Sequence, residues 1–185
     1  MCSVAGEVAD GIRPHPVCTP SYIEHVMLPA VRAGAARSGR SLADFRVCMK
    51  PLVAAAPDEE QLIPKVRDAR ARIAFYASTP GYAAAFDHLG LGDLARDAAV
   101  YSRQQKWEEL PKMISDDVLH QFAVVGTYDQ IGRKLLNRFG RLITDVEFSI
   151  AVRDEQDLAA LTALARMIQG NDDTVARATI AGTAA

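Results

Sequence analysis

His15 and Arg13 carry the first chemistry this chain can offer: an imidazole can donate to a substrate or cofactor oxygen, and a guanidinium can meet an anionic group. Both fall within residues 11–16, which read as a short strand, so the period of two puts them on one face. A structural role explains His15 equally well, and a solvated or ion-paired arginine is the commoner reading of Arg13. Tyr76 and Tyr82 lie with Phe75 around a Ser78-Thr79-Pro80 turn, where aromatic surface can form a lid over a substrate pocket. Aromatic residues at helical spacing are more often core.

Other polar residues have plainer explanations. Asp116 and Asp117 are adjacent, and neighbouring carboxylates seldom point at one ligand, so a helix N-cap suits them better than acid–base or metal chemistry. The run from Arg103 to Trp107 is followed by Glu108 and Glu109, which cancel its charge and leave a solvated helix face. Glu147 sits in a strand and needs a partner if it is buried, but sequence does not name one. Cys2, Cys18 and Cys48 are widely spaced with no C-x-x-C pair, so no metal is assigned, and Cys18 and Cys48 read as small buried hydrophobes.

The elements that must hold these residues follow from periodicity. Thr19-Pro20 is an N-cap with proline at N1, and Gly39 is a stop for the helix between them; Pro29 removes a donor inside it and predicts a kink or a break. Residues 45–56 are apolar and read as one buried strand, with Pro51 as the exception. Leu62, Val66, Ala69, Ile73 and Tyr76 recur at helical spacing after an acidic first turn. Residues 81–115 suggest two or three short helices and no strand, and Thr127 caps a helix that ends at Gly140. Residues 144–151 alternate at a period of two, with Val146, Phe148 and Ile150 on one side and Glu147 and Ser149 on the other. Asp154 caps the last helix, and the residues from Gly170 onward have little to bury. Strand, helix, strand, helices, strand, helix is an order that argues for parallel pairing in an α/β fold.

Composition excludes whole classes. Nearly half of the 185 residues are apolar and about a quarter are charged, as in ordinary globular domains. A net charge of −2 supplies no positive field for nucleic acid, and no apolar stretch suggests a leader or a membrane span, so a reducing cytoplasmic location is expected.

Four segments then appear in a familiar order. Ala5-Gly6-Glu7-Val8-Ala9-Asp10-Gly11 is followed by His15, Thr19-Pro20 and Tyr22; next come 34–40, 73–82 and finally Val124-Val125-Gly126-Thr127. Over residues 4–169 the chain resembles the luciferase-like monooxygenases, nearest the actinobacterial branch whose members use the deazaflavin coenzyme or are assumed to. The resemblance implies a (β/α)8 TIM barrel, which typically needs about 250 residues. It matches the late part of that barrel only, so the expectation is a helix-rich, incomplete barrel over residues 1–169 and a mobile tail over 170–185.

By resemblance, the activity is hydride transfer between a reduced deazaflavin (coenzyme F420) or FMN and a small organic molecule. His15 takes the catalytic role, Arg13 a cofactor-binding role, and Tyr76 and Tyr82 substrate-binding roles. The family's early loops supply most cofactor contacts, so weak or no binding is expected of this chain alone. Its expected partners are the small-molecule substrate and either a second copy or a complementing N-terminal half. A non-catalytic interaction module or decayed fragment is the alternative. A helical ligand-binding regulator is a third reading, opposed by the alternating strand at 144–151.

Overall fold

A computed structural model describes residues 1–148 and 150–183. The chain divides into two compact units, Met1–Pro51 with Tyr128–Ala185 and Leu52–Thr127.

The first unit opens with helix α1 (Cys2–Val8), which the sequence reading did not anticipate because it has no side-chain cap. Tertiary packing makes it. A Cβ on Gly6 would lie 1.9 Å from the Val31 carbonyl oxygen, and one on Gly34 would lie 1.8 Å from that of Ser3, so two backbones touch where both helices carry glycine. Strand β1 (Gly11–Ile12) is shorter than the expected 11–16. Thr19 caps α2 (Pro20–Tyr22), accepting from the Tyr22 N–H at 3.3 Å, and Pro20 stands at N1 as expected. The kink expected from Pro29 is a π turn over Ile23–Met27, in which the Leu28 N–H reaches back five residues to Ile23. Proline has no N–H to continue the ordinary ladder there. Helix α3 (Leu28–Ser38) then ends at Gly39, whose φ of 68° is the left-handed cap that glycine provides.

The single strand expected over 45–56 is two. Strand β2 (Arg46–Met49) joins β1, whereas β3 (Leu52–Ala56) opens the second unit and pairs elsewhere. Pro51 lies at the break, consistent with its missing donor.

In the second unit Asp58 caps α4 (Glu59–Ala77) by accepting from the Gln61 N–H at 2.8 Å. Leu62, Ala69, Ile73, Ala74 and Ala77 form its buried stripe, and the helix continues through Pro64. After a tight turn at Pro80–Tyr82 come α5 (Ala83–Asp87) and α6 (Gly92–Arg103), then α7 (Asp116–Phe122). Ser115, rather than either aspartate, is the N-cap of α7; Asp116 instead pairs with Arg70, which also donates to the Ile114 carbonyl. Strand β4 (Ala123–Thr127) was missed and runs parallel to β3, with Val53 opposite Val124. Phe86 and Phe122, with ring centroids 4.6 Å apart, sit in this unit's core.

The chain returns to the first unit with α8 (Tyr128–Phe139), which begins directly after Thr127, the last residue of β4, and ends before Gly140. Strand β5 (Asp145–Val146) is far shorter than 144–151, and Ser149 lies outside the described residues. Asp154 caps α9 (Glu155–Gln169), as the sequence indicates, by accepting from the Asp157 N–H at 2.8 Å. Beyond Gly170 the sequence offers little to bury, yet α10 (Thr174–Ala181) buries Ala176 and Ile180 completely, and the Arg32 guanidinium donates to the carbonyls of Thr179 and Ile180. Residues 184–185 of the expected tail lie outside the described residues.

The sheet of the first unit has the order β1-β2-β5, all parallel, with Ile12 opposite Val47 and Met49 opposite Val146. Among the described residues the strands form this sheet and the β3-β4 pair, and no closed barrel.

Candidate site at the strand ends of the first unit

Alternation along β2 separates two faces of its sheet. Val47 and Met49 are completely buried, whereas Arg46 and Cys48 point the other way onto a more open face. Register carries that face across the sheet, to Gly11 and Arg13 on one side and Asp145 and Glu147 on the other. An open groove of about 480 Å³ lies there, lined in part by Gly11, Arg13, Arg46, Cys48 and Asp145.

Parallel strands bring their C-terminal ends to one edge. Arg13 follows β1, Lys50 follows β2 and Glu147 follows β5, each one residue beyond its strand. Glu147 accepts from the Lys50 ammonium at 2.8 Å and from the Arg13 guanidinium. Its backbone N–H donates to the Met49 carbonyl at 2.8 Å, which continues the ladder past β5 and fixes the position of the carboxylate. The Lys50 hydrogen bond and the neighbouring Arg13 charge hold the Glu147 carboxyl below the usual range. At the opposite strand ends Arg46 grips Asp145, with Nε to Oδ2 at 2.9 Å and a second contact beside it, and lowers that carboxyl too.

The partner that sequence could not name for Glu147 is therefore a pair of cations, and its side chain is 41% exposed. Lys50 was missed altogether, although Arg46, Cys48 and Lys50 already alternate in the sequence.

His15 does not share a strand face with Arg13, because β1 stops at Ile12 and Pro14 intervenes. It occupies the turn after the strand, where its Nδ1 lies 3.4 Å from the Val17 N–H and its carbonyl accepts from the Cys18 N–H at 2.8 Å. The ring is half-buried, and burial lowers its pKa below the ordinary 6.5. Cys18 is buried beside it, and burial pushes its thiol up to about 11, which makes it a poor nucleophile at neutral pH.

Tyr76 and Tyr82 belong to the second unit. Their rings meet edge to face with centroids 5.4 Å apart, and Phe75 lies 5.8 Å from Tyr76 and is half exposed. Both tyrosines are half-buried, an arrangement compatible with helix-end packing and with a ligand-facing wall. Among the described residues no three His, Cys, Asp or Glu side chains gather as metal ligands would, and no helix is long and apolar enough to cross a membrane. A second cavity, between α8, β5 and α9, is only about 60 Å³, well below the roughly 300 Å³ of a small-molecule site.

Comparison with known proteins gives this geometry a context. The family model described as luciferase-like monooxygenase matches residues 1–145. Two proteins described as uncharacterized, one from Mycobacterium bovis and one from Mycobacterium tuberculosis, are each 39% identical over 138 residues, which is 75% of this chain and 41% of theirs. This chain thus spans about two fifths of the length of the curated relatives it matches. Its fold is similar to that of the coenzyme F420 dependent tetrahydromethanopterin reductase from Methanopyrus kandleri, with a TM-score of 0.69 at 20% identity, over 93% of this chain and 48% of that one.

Proposed function

This chain belongs to the luciferase-like monooxygenase family, and on that premise we propose that it is part of an oxidoreductase moving hydride between a deazaflavin or flavin coenzyme and a small organic substrate. The observation that carries the reading is the convergence of Arg13, Lys50 and Glu147 at the C-terminal ends of three parallel strands, with His15 in the turn beyond β1. In barrels of this kind that end is where ligands bind and chemistry occurs. The F420 dependence in the name of the Methanopyrus reductase favours the deazaflavin among the possible coenzymes.

The donor set fits the anionic part of such a coenzyme, and the bound coenzyme supplies the hydride chemistry itself. This chain's residues orient and polarise. Arg13 holds an anionic group with its planar fork. His15, neutral at pH 7 because burial lowers its pKa, offers a ring nitrogen to a substrate oxygen as donor or acceptor. Tyr76 and Tyr82 are proposed as substrate contacts on the strength of their paired, half-buried rings. The whole activity is proposed for an assembly of this chain with a second copy or with a complementing N-terminal half. Its setting is the cytoplasm.

Hydride transfer, followed by the loss of reduced coenzyme in a mixture of this chain with the N-terminal segment of a mycobacterial relative, tests the reading. His15→Asn is expected to lower kcat by roughly 10²–10⁴-fold, the usual contribution of a positioned proton-transfer group. Unchanged kcat removes His15 from the catalytic role. A mixture with no turnover at all selects the alternative, a non-catalytic interaction module.

A further inference from the structure

We infer that Arg13 and Lys50 form an oxyanion subsite in which Glu147 is a displaceable internal counter-ion, so that a phosphate or carboxylate of the ligand exchanges with Glu147. This rests on the strand-end site of the proposed function and names the chemistry that the site takes.

The charge on the open sheet face is unevenly distributed. Arg46 and Asp145 are matched one to one and joined by two contacts. Arg13 and Lys50 share the single carboxylate of Glu147, which leaves one positive charge unmatched within this trio. The three side chains are 57%, 52% and 41% exposed, and water screens ion pairs this open, so Glu147 holds its partners weakly. Their backbones are nonetheless set by adjacent strands, and the cations converge without needing the ligand to gather them. An incoming oxyanion can span both, since the guanidinium fork accommodates two oxygens and the ammonium a third. Glu147 then swings into solvent without burying an uncompensated charge.

The test is an NMR titration of the full chain, labelled with nitrogen-15, with sodium phosphate and in parallel with sodium acetate at constant ionic strength, reading the amides of Arg13 and Glu147. Saturable shifts are expected with the unmodified chain. Glu147→Gln, which removes the competitor and keeps its shape, is expected to tighten binding by about two- to fivefold, the range corresponding to an exposed ion pair. Arg13→Met and Lys50→Met each abolish saturation, while Arg96→Met, which removes an exposed cation from the second unit, changes nothing. Saturation by phosphate alone upholds the subsite and assigns it to a phosphorylated group; saturation by acetate as well upholds it for carboxylates. Glu147→Gln binding no tighter than the unmodified chain, or linear shifts in both, overturns the inference. No coenzyme enters this titration, so it can succeed where the oxidoreductase reading fails, and fail where that reading succeeds.

Discussion

Arg13 and Glu147 stand 134 positions apart in the chain and meet at one carboxylate. Each was visible in the sequence as a polar residue at a strand, but their meeting depends on which strands are neighbours, and that is decided by packing far from either residue. His15 was visible by type, and its environment was not. Burial should keep its imidazole pKa below the ordinary 6.5, so NMR titration of the ring should give a value under that figure; a ring still mostly charged at pH 7 contradicts the neutral role assigned there. Asp157 was not singled out at all. It is 1% exposed, and it accepts from the Tyr128 hydroxyl at 3.0 Å and from the Arg153 backbone N–H and Nε, each at 3.0 Å. The Arg153 hydrogen bonds lower its pKa, so its stabilising contribution is complete above the unfolded carboxyl pKa and fades as pH falls through the folded one. Asp157→Asn should therefore lower Tm at pH 7 and flatten the fall of Tm on acidification; an equally steep acid limb would show that other carboxylates set it.

Helices with end signals and long apolar stripes were legible: Asp154 caps α9, an acidic turn opens α4 although Asp58 proves to be its cap, and Gly39 ends α3. Elements that depend on neighbours were not. Strand β4 holds five residues between two helices, too few for periodicity to separate it from helix, and α1 exists through its crossing with α3. That crossing makes a sharp prediction. Gly34→Ala places a methyl group 1.8 Å from the Ser3 carbonyl oxygen and forces the helices apart, with an expected loss of about 1–3 kcal/mol or more in urea unfolding. Gly39→Ala meets no atom within 4 Å and carries only the strain of a positive φ, about 1–2 kcal/mol. A Gly34→Ala protein as stable as the parent would mean that α1 does not pack on α3 this closely.

At the scale of the whole molecule, the parallel α/β class and the family were legible because they rest on order and spacing, which a short sequence preserves. Surface was harder to read. Val152, Leu158 and Met167, in and before α9, and Val4 and Val8 on α1 are each between 42% and 70% exposed. Val4 and Val8 stand about one turn apart on α1, and neighbouring exposed apolar side chains favour association. Light scattering after size exclusion should therefore show a mass that rises with concentration, and a constant monomer mass would show that these residues are tolerated in water. The most direct test of the central claim, that this chain carries one side of a coenzyme site, is a fluorescence titration with coenzyme F420 and with FMN. It is done on the chain alone and on its mixture with the N-terminal segment of a mycobacterial relative. The account predicts no saturation at micromolar coenzyme for the chain alone, saturable binding in the mixture, and weaker binding there when Arg13 is replaced by Met. Micromolar saturation by the chain alone would contradict the claim that its own residues supply only one side, and a mixture that binds neither coenzyme would contradict the claim that they supply a side at all.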